Sequence, residues 1–438
     1  MSHDLALLGG MAFVNGQVAN ANIYVSGGKV SKVSHSEEHA DTRIDCRGLL
    51  ILPGAIDSHV HFREPGNTRK EDWRSGSEAA AAGGVTCVFD MPNTKPETVT
   101  RKLLEEKIKL AEAKSLVDFG MHFGATNTNQ EEILHVKRAH SVKFYMASTT
   151  GDLLIHDEAA IAKHFRILHE RGMLAFAHAE DERMVAEATK LVRESGKEGI
   201  MAHAACRPPE AAVRGMETAV KLAKAAKARL HLTHVSTAGE IEVLKKAKKA
   251  GLQVTADTTP TYLFISQSHL TRGGNYLKVN PPVRSEEDRK AAFAAFAAGV
   301  FDVVATDHAP HLRDEKEKPF WDVPGGVPGV ETLLPLLLNE VNRGTVSLGR
   351  VVSAVCGNPA KLFELNKGEI AVGKDADFAV IDMKKDWVIR DEMMHSKCGW
   401  TPFNGMRVQG RVEKTFVRGN LAYDEGVFSG RQLGRCVY

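Results

Sequence analysis

Ala55-Ile-Asp-Ser-His-Val-His-Phe62 is an apolar run that ends in ligand-type side chains. In an extended chain successive Cβ atoms point to opposite faces, so His59 and His61 share one face, and Arg63 starts on the same side. Seven other segments have the same character: 85–91, 118–125, 141–147, 173–179, 228–235, 251–258 and 302–309. Several are continuous apolar runs that close in polar residues, as expected of strands buried on both faces. Between most of them lie stretches rich in Ala, Lys and Glu, namely 101–114, 158–171, 210–227 and 240–250, which favour helix. Eight strand–helix alternations over about 300 residues fit an α/β fold of the (β/α)8, TIM-like barrel type. A doubly wound open sheet alternates in the same way, so pattern alone leaves both open.

Outward from this middle the chain changes character. Met11–Val14 and Ala21–Val25 are short β-like runs followed by Asn15-Gly16 and Gly27-Gly28, residues that tolerate positive φ in hairpin turns. The C-terminal stretch is similar, with Asp377–Ile381, Trp387–Ile389, and Lys414–Tyr423 broken at Gly419-Asn420. Two all-β ends around a different middle predict a small β-sandwich built from both termini. The expected division is 1–53 with 366–438 for the sandwich and 54–365 for the barrel.

Bulk composition narrows the function class. Over 438 residues, 57 basic and 55 acidic side chains leave a net charge of +2, which is no electrostatic footprint for nucleic acid or an anionic membrane. The six cysteines form no C-x-x-C pair, which suits a reduced, cytoplasmic protein. The N-terminal MSHDLALLGG is not a signal pattern, and no run of 18 apolar residues exists to span a membrane.

The chemistry gathers at the candidate strand ends. His59 and His61 at i, i+2 can hold one metal ion together. Lys143 lies inside the apolar run Ser-Val-Lys-Phe-Tyr, where a lysine is either a snorkelling edge residue or a buried neutral amine able to add carbon dioxide. The fifth strand ends in His178-Ala-Glu180. The sixth carries His231 and His234, which face opposite ways in a regular strand. His234, at the strand end, is the candidate ligand and His231 the structural one. Asp307 closes the eighth apolar run, where an unpaired carboxylate would be costly. An N-cap or a buried pair would explain one such residue, but not this set on strands one, four, five, six and eight. Four imidazoles with oxygen donors suit zinc, with manganese, iron or cobalt also compatible.

At these residues the chain resembles the cyclic amidohydrolases, the superfamily of dihydroorotases, allantoinases and hydantoinases. The resemblance runs from Leu52-Pro-Gly-Ala-Ile-Asp-Ser-His-Val-His61 to Gly373-Lys-Asp-Ala-Asp377, nearly the whole chain. It implies a metal-holding barrel with a sandwich from both ends, and so favours the barrel over the open sheet. Within the superfamily, His61-Phe-Arg-Glu-Pro-Gly66, Met91-Pro-Asn-Thr94, Cys206-Arg-Pro-Pro-Glu210, Asn280-Pro-Pro-Val-Arg284 and Ala305-Thr-Asp-His-Ala-Pro-His311 are similar to the dihydroorotase family.

That resemblance implies two zinc ions per subunit. His59, His61 and Asp307 would hold one, His178 and His234 the other, and a carboxylated Lys143 would bridge them. Asp307 would be the catalytic base and acid around a metal-bridging hydroxide. Arg63 and Asn93 would bind the substrate carboxylate, with Asn280 and His311 adding contacts. The implied reaction is the reversible interconversion of dihydroorotate and N-carbamoyl-L-aspartate in pyrimidine biosynthesis, by a homo-oligomer (dimer or tetramer) with a small-molecule substrate. Two departures stand out: Thr259-Pro-Thr-Tyr262 has no histidines where related enzymes commonly carry them, and Asp152 offers an alternative to Lys143 as a metal ligand. The alternatives are an allantoinase, a hydantoinase or dihydropyrimidinase, or a non-catalytic scaffold of the same fold. The Gly- and Pro-rich loop 312–328 is a candidate cover for substrate.

Overall fold

Each of the eight apolar runs forms a strand in the computed structural model, which describes residues 3–438. The barrel strands are Ala55–Val60, Val85–Asp90, Asp118–Gly124, Ser141–Tyr145, Leu174–His178, Arg229–Leu232, Val254–Thr258 and Val303–Val304. They pair in chain order, every pair parallel. Val60 bridges His308, and the His61 N–H donates to the His308 carbonyl at 2.8 Å. First and last strands therefore meet, and the open sheet is excluded.

Two strands are shorter than their apolar runs. The first stops at Val60 and the eighth keeps only two residues. The reason is Asp57: its Oδ1 accepts the N–H groups of His59 and Thr306, so a buried side chain takes the place of ladder bonds. The register between the first two strands shifts at the same point.

Helices follow the strands where the Ala-, Lys- and Glu-rich stretches lie: Arg101–Lys114, Glu158–Arg171, Pro209–Ala226 and Ala238–Lys249. Their starts are capped by side chains. Thr100 accepts from Leu103 N–H, Asp157 from Ala159 N–H, and Thr237 forms a reciprocal box with Glu240.

The two chain ends build two sheets. One orders Lys29–Ser34, Asn22–Ser26, His3–Leu8 and Ala40–Asp45. The other has seven strands and joins Met11–Val14, Gln17–Asn20 and Leu50–Pro53 to four strands after residue 377. Leu5, Leu7, Ile23 and Val25 of the first pack with Ile51, Phe378, Val380 and Phe416 of the second. Residues 377–389, expected as two short strands, form one strand, Phe378–Val388, whose register breaks absorb the change of direction. Lys367 ties sandwich to barrel, with Nζ 2.6 Å from Asp118 and 2.7 Å from Asp377, all buried.

One buried ion pair lies near the carboxyl ends of the first two barrel strands. Lys107 is 1 % exposed, with Nζ 2.5 Å from Asp90 Oδ2, and Asp90 Oδ1 accepts the Phe62 N–H at 2.7 Å. Lys107→Met leaves that carboxylate buried and unpaired. The expected loss is about 3–5 kcal/mol of unfolding free energy by denaturant titration. Adding Asp90→Asn is expected to restore part of it; no loss in the single variant would show that the pair is not stabilising.

Candidate metal centre and substrate pocket

The strand ends bring the predicted residues together above the barrel. His59 and His61 point their Nε2 atoms at Asp307 Oδ1, at 3.2 and 3.0 Å. Ligand atoms of these three residues lie within 4.8 Å of one another. On the other side, His178 Nδ1 stands 2.9 Å from His234 Nε2. The His59 and His234 rings are 5.7 Å apart, centroid to centroid, so the two groups adjoin. Lys143 carries its Nζ into the same cavity.

Hydrogen bonds decide which nitrogens hold lone pairs. Asn93 donates its amide N–H to the Thr150 carbonyl at 2.9 Å, which turns its Oδ1 toward His61 Nδ1 at 2.7 Å. His61 Nδ1 is then the donor, and Nε2 presents a lone pair to a carboxylate oxygen. His178 Nε2 donates to Glu180 Oε2 at 2.9 Å, so its Nδ1 presents a lone pair to His234. Burial lowers the pKa of His59, His61, His178 and His234, which favours the neutral, ligating form. At His61 this sets a lone pair against a carboxylate oxygen at 3.0 Å, which repels unless a cation lies between them, and His59 and His234 leave Nδ1 buried without a partner among the described residues, so this donor set fits divalent metal.

Lys143 is fully buried, and among the described residues its Nζ has no carboxylate within 4 Å. Its hydrogen-bond partner is Thr233 Oγ1 at 3.4 Å. Burial lowers its pKa to about 7. Asp152, the alternative ligand, is exposed and does not line the cavity. The second acidic group, Asp118, Asp375 and Asp377, already holds the Lys367 ammonium and needs no metal.

Backbone strain gathers here. Arg63, His234 and Asp307 take positive φ values of 63°, 42° and 50°, a region that non-glycine residues seldom occupy. For His234 the turn has a consequence that strand alternation does not predict. His231 also faces the barrel interior, one layer deeper, stacked on Phe176 and bonded to Asp257 at 2.9 Å. The other oxygen of Asp257 accepts the His234 N–H at 2.6 Å. His231 has the structural place expected of it, but it is not on the outer face.

The remaining predicted residues form the cavity wall. Arg63 is buried; its Nε donates to the Pro310 carbonyl at 3.3 Å, and no carboxylate lies within 4 Å of the guanidinium among the described residues. Its terminal nitrogen is 3.2 Å from His311 Nε2. Asn280 donates to Thr149 Oγ1 at 3.2 Å and leaves its Oδ1 buried without a partner among the described residues. Gly325 and Gly326 of the loop 312–328 close the top. At Gly326, with φ 143°, a Cβ would sit 2.6 Å from the Ala309 carbonyl, so glycine is required there. The cavity opens to solvent between Thr149–Thr150 and Gly325–Gly326 and is narrow, with a volume of about 30 Å³.

The family model for the amidohydrolase family matches residues 50–422. The dihydroorotase of Methanosarcina acetivorans is 38 % identical over 439 residues, covering 96 % of this chain and 92 % of that one. The allantoinase of Deinococcus radiodurans is 31 % identical over 446 residues, covering 100 % and 99 %. Among solved structures, the L-hydantoinase of Arthrobacter aurescens superimposes with a TM-score of 0.96 at 31 % identity, over 99 % of both chains. The chain belongs to the amidohydrolase family. It is a hydrolytic enzyme with the barrel and two-ended sheet domain of that family, and no helix among the described residues is long and apolar enough to cross a membrane.

Around the candidate ligand side chains this amidohydrolase carries partners whose roles the sequence alone does not assign. Glu180 accepts from Arg207 as well as His178, and Arg207 donates to the Ser148 carbonyl at 2.8 Å. Arg284 donates to the Arg207 carbonyl at 2.6 Å. Asp57 and Asp257 hold backbone N–H groups at the ligand-bearing turns. The signal for Arg207 and Arg284 was their place in Cys206-Arg-Pro-Pro-Glu210 and Asn280-Pro-Pro-Val-Arg284. Asp257, at the end of the seventh apolar run, carried the same signal as Asp307.

Proposed function

We propose that this amidohydrolase interconverts dihydroorotate and N-carbamoyl-L-aspartate, the reaction that closes the pyrimidine ring in its biosynthetic direction. The observation that carries this reading is Arg63: a buried guanidinium without a carboxylate partner among the described residues, on the wall of the cavity that holds the candidate ligand set. Dihydroorotate has a carboxylate to pair with it, and a guanidinium matches a carboxylate in charge and in forked geometry. Asn93 has both polar groups engaged, with His61 and Thr150, so its part is to orient a metal ligand unless substrate displaces those bonds. Asn280 has an idle acceptor for a ring N–H, and His311 completes the wall beside Arg63.

In this reading His59, His61 and Asp307 would hold one zinc ion and His178 and His234 a second, and Lys143 would be a further ligand as a carbamate formed from its amine and carbon dioxide with loss of a proton. When bound, the ions supply Lewis acidity and a water acidic enough to ionise near neutral pH. Arg63 holds the substrate carboxylate, which aims the ring amide at the metal-ligating residues. Asp307 accepts the proton of the attacking water and delivers it to the ring nitrogen as the C–N bond breaks. Water is thereby added across the amide, giving a carboxylate and a ureido group. Residues 54–365 form the catalytic unit and 1–53 with 366–438 the sandwich. The assembly is a homo-oligomer, dimer or tetramer, acting on a small molecule in the cytoplasm.

The second reading is an allantoinase or hydantoinase, favoured by the likeness to those two relatives over the whole chain. Their rings carry no carboxylate for Arg63. The test is parallel hydrolysis of dihydroorotate, allantoin and dihydrouracil by zinc-loaded wild type and Arg63→Met. Preference for dihydroorotate, with kcat/KM falling about 100-fold in the variant, is expected from loss of a charged hydrogen-bond pair. Preference for an uncharged ring, unchanged in the variant, would overturn the substrate assignment and leave the metal site standing.

A further inference from the structure

Beside Arg63 lies a chain of charged groups that links the loops after the first and last barrel strands. His311 is fully buried. Its Nδ1 is 3.2 Å from Lys70 Nζ and 3.8 Å from Glu315 Oε2. Its Nε2 is 3.2 Å from both the Gly325 carbonyl and the Arg63 terminal nitrogen. Lys70 Nζ is fixed in turn by Glu315 Oε1 at 2.8 Å.

Two tautomers of His311 compete for these neighbours, and they leave Arg63 in different states. An ammonium offers only donors, so a nitrogen within hydrogen-bond reach of Lys70 must accept. Nδ1 then holds the lone pair, and the ring proton sits on Nε2, aimed at the Gly325 carbonyl. The approach of Arg63 to Nε2 becomes donor against donor, and among the described residues that guanidinium N–H has no other acceptor. In the other tautomer Nδ1–H would face Glu315, and the Nε2 lone pair would accept from Arg63 and spend that donor.

We propose that Lys70 is a positioning residue for substrate recognition: by holding His311 in its Nε2–H tautomer it keeps the terminal N–H of Arg63 free for a carboxylate. This rests on the substrate reading above for its functional consequence, but the tautomer itself does not depend on that reading. Because Glu315 belongs to the loop 312–328, the same contact also fixes that loop relative to the segment after the first strand. Gly325 O receives the His311 proton, so the loop that closes the cavity is bonded to the group that prepares Arg63.

The test joins ring-15N NMR of histidine-labelled enzyme, with His311 assigned by the signal lost in His311→Asn, to steady-state kinetics with dihydroorotate. In wild type His311 Nδ1 is expected to show the shift of an unprotonated nitrogen and Nε2 that of a protonated one. Lys70→Met is expected to reverse or mix these shifts and to raise KM on the order of tenfold, with kcat changed much less. Lys70→Arg keeps the donors and is expected to keep the Nε2–H tautomer and a KM near that of wild type. An unchanged His311 signal in Lys70→Met overturns the proposal, as does a protonated Nδ1 in wild type. A changed tautomer with dihydroorotate not used even by wild type would leave the role of Lys70 in place and reject the substrate reading instead.

Discussion

Asp307→Asn is expected to leave a folded chain with no more than about a thousandth of the wild-type turnover. The substitution changes little else. Asparagine matches aspartate in size, and it is among the few side chains that tolerate the positive φ of 50° found here. The neighbouring Thr306 stays anchored to Asp57 through its backbone N–H at 3.1 Å, so the closure of the barrel does not depend on Asp307. What is lost is the negative charge facing two imidazole nitrogens and the atom that can take up and return a proton. At 21 % side-chain exposure Asp307 is far more open than His59, at 2 %, so it is placed to reach both water and substrate. Metal content by mass spectrometry separates its two parts. Full metal with lost turnover identifies the proton carrier; lost metal identifies the ligand. Turnover near wild type would reject both.

Lys143→Met is the second large effect. Removing a hydrogen-bond partner of a metal ligand commonly costs 10–100-fold, so, with Lys143 in its proposed role as a metal ligand, its removal should cost at least about 100-fold in turnover and reduce the bound metal. Met fills the space of the buried stem, and among the described residues the hydrogen bond given up is the long one to Thr233. Carbamate formation needs the neutral amine. Burial holds the Lys143 pKa at about 7 against an ordinary 10.5, so the amine is mostly neutral above pH 7 and mostly charged below it. Reloading metal-free enzyme with zinc is therefore expected to require bicarbonate and to become more complete as pH rises through 7. The same shift sets a sign for stability. Between about 7 and 10.5 the unfolded chain binds more protons than the folded one, so the metal-free protein gains stability as pH rises through that window. Full reloading in carbonate-free buffer would rule out the carbamate.

Much of the barrel was legible because its determinants are local. Strands buried on both faces must be apolar throughout, and the helices between them must be rich in good helix formers, so both patterns stand in the chain without reference to neighbours. The ends of the helices Arg101–Lys114 and Glu158–Arg171 coincide with the predicted stretches because Thr100 and Asp157 are the caps. The ligand types were legible for a related reason. A histidine, lysine or aspartate that lies within or ends an apolar run is costly to bury without a task, so His59, His61, Lys143, His178, His234 and Asp307 stand out.

Other features depend on contacts between distant parts of the chain. Whether the alternating elements close was decided by Val60 meeting His308, a contact across 248 residues that periodicity does not encode. The inward turn of both His231 and His234 was decided by a left-handed residue and by Asp257 on the next strand. The pairing of Glu180 with Arg207, and of His311 with Lys70, joins loops whose proximity exists only once the barrel has formed. Amino-acid order by itself determined which residues could be strands, helices and ligands, because burial and backbone preference act on each residue locally. The tertiary structure decided which nitrogen holds a lone pair and which guanidinium lacks a carboxylate partner among the described residues, because hydrogen-bond direction depends on neighbours brought together from the whole chain.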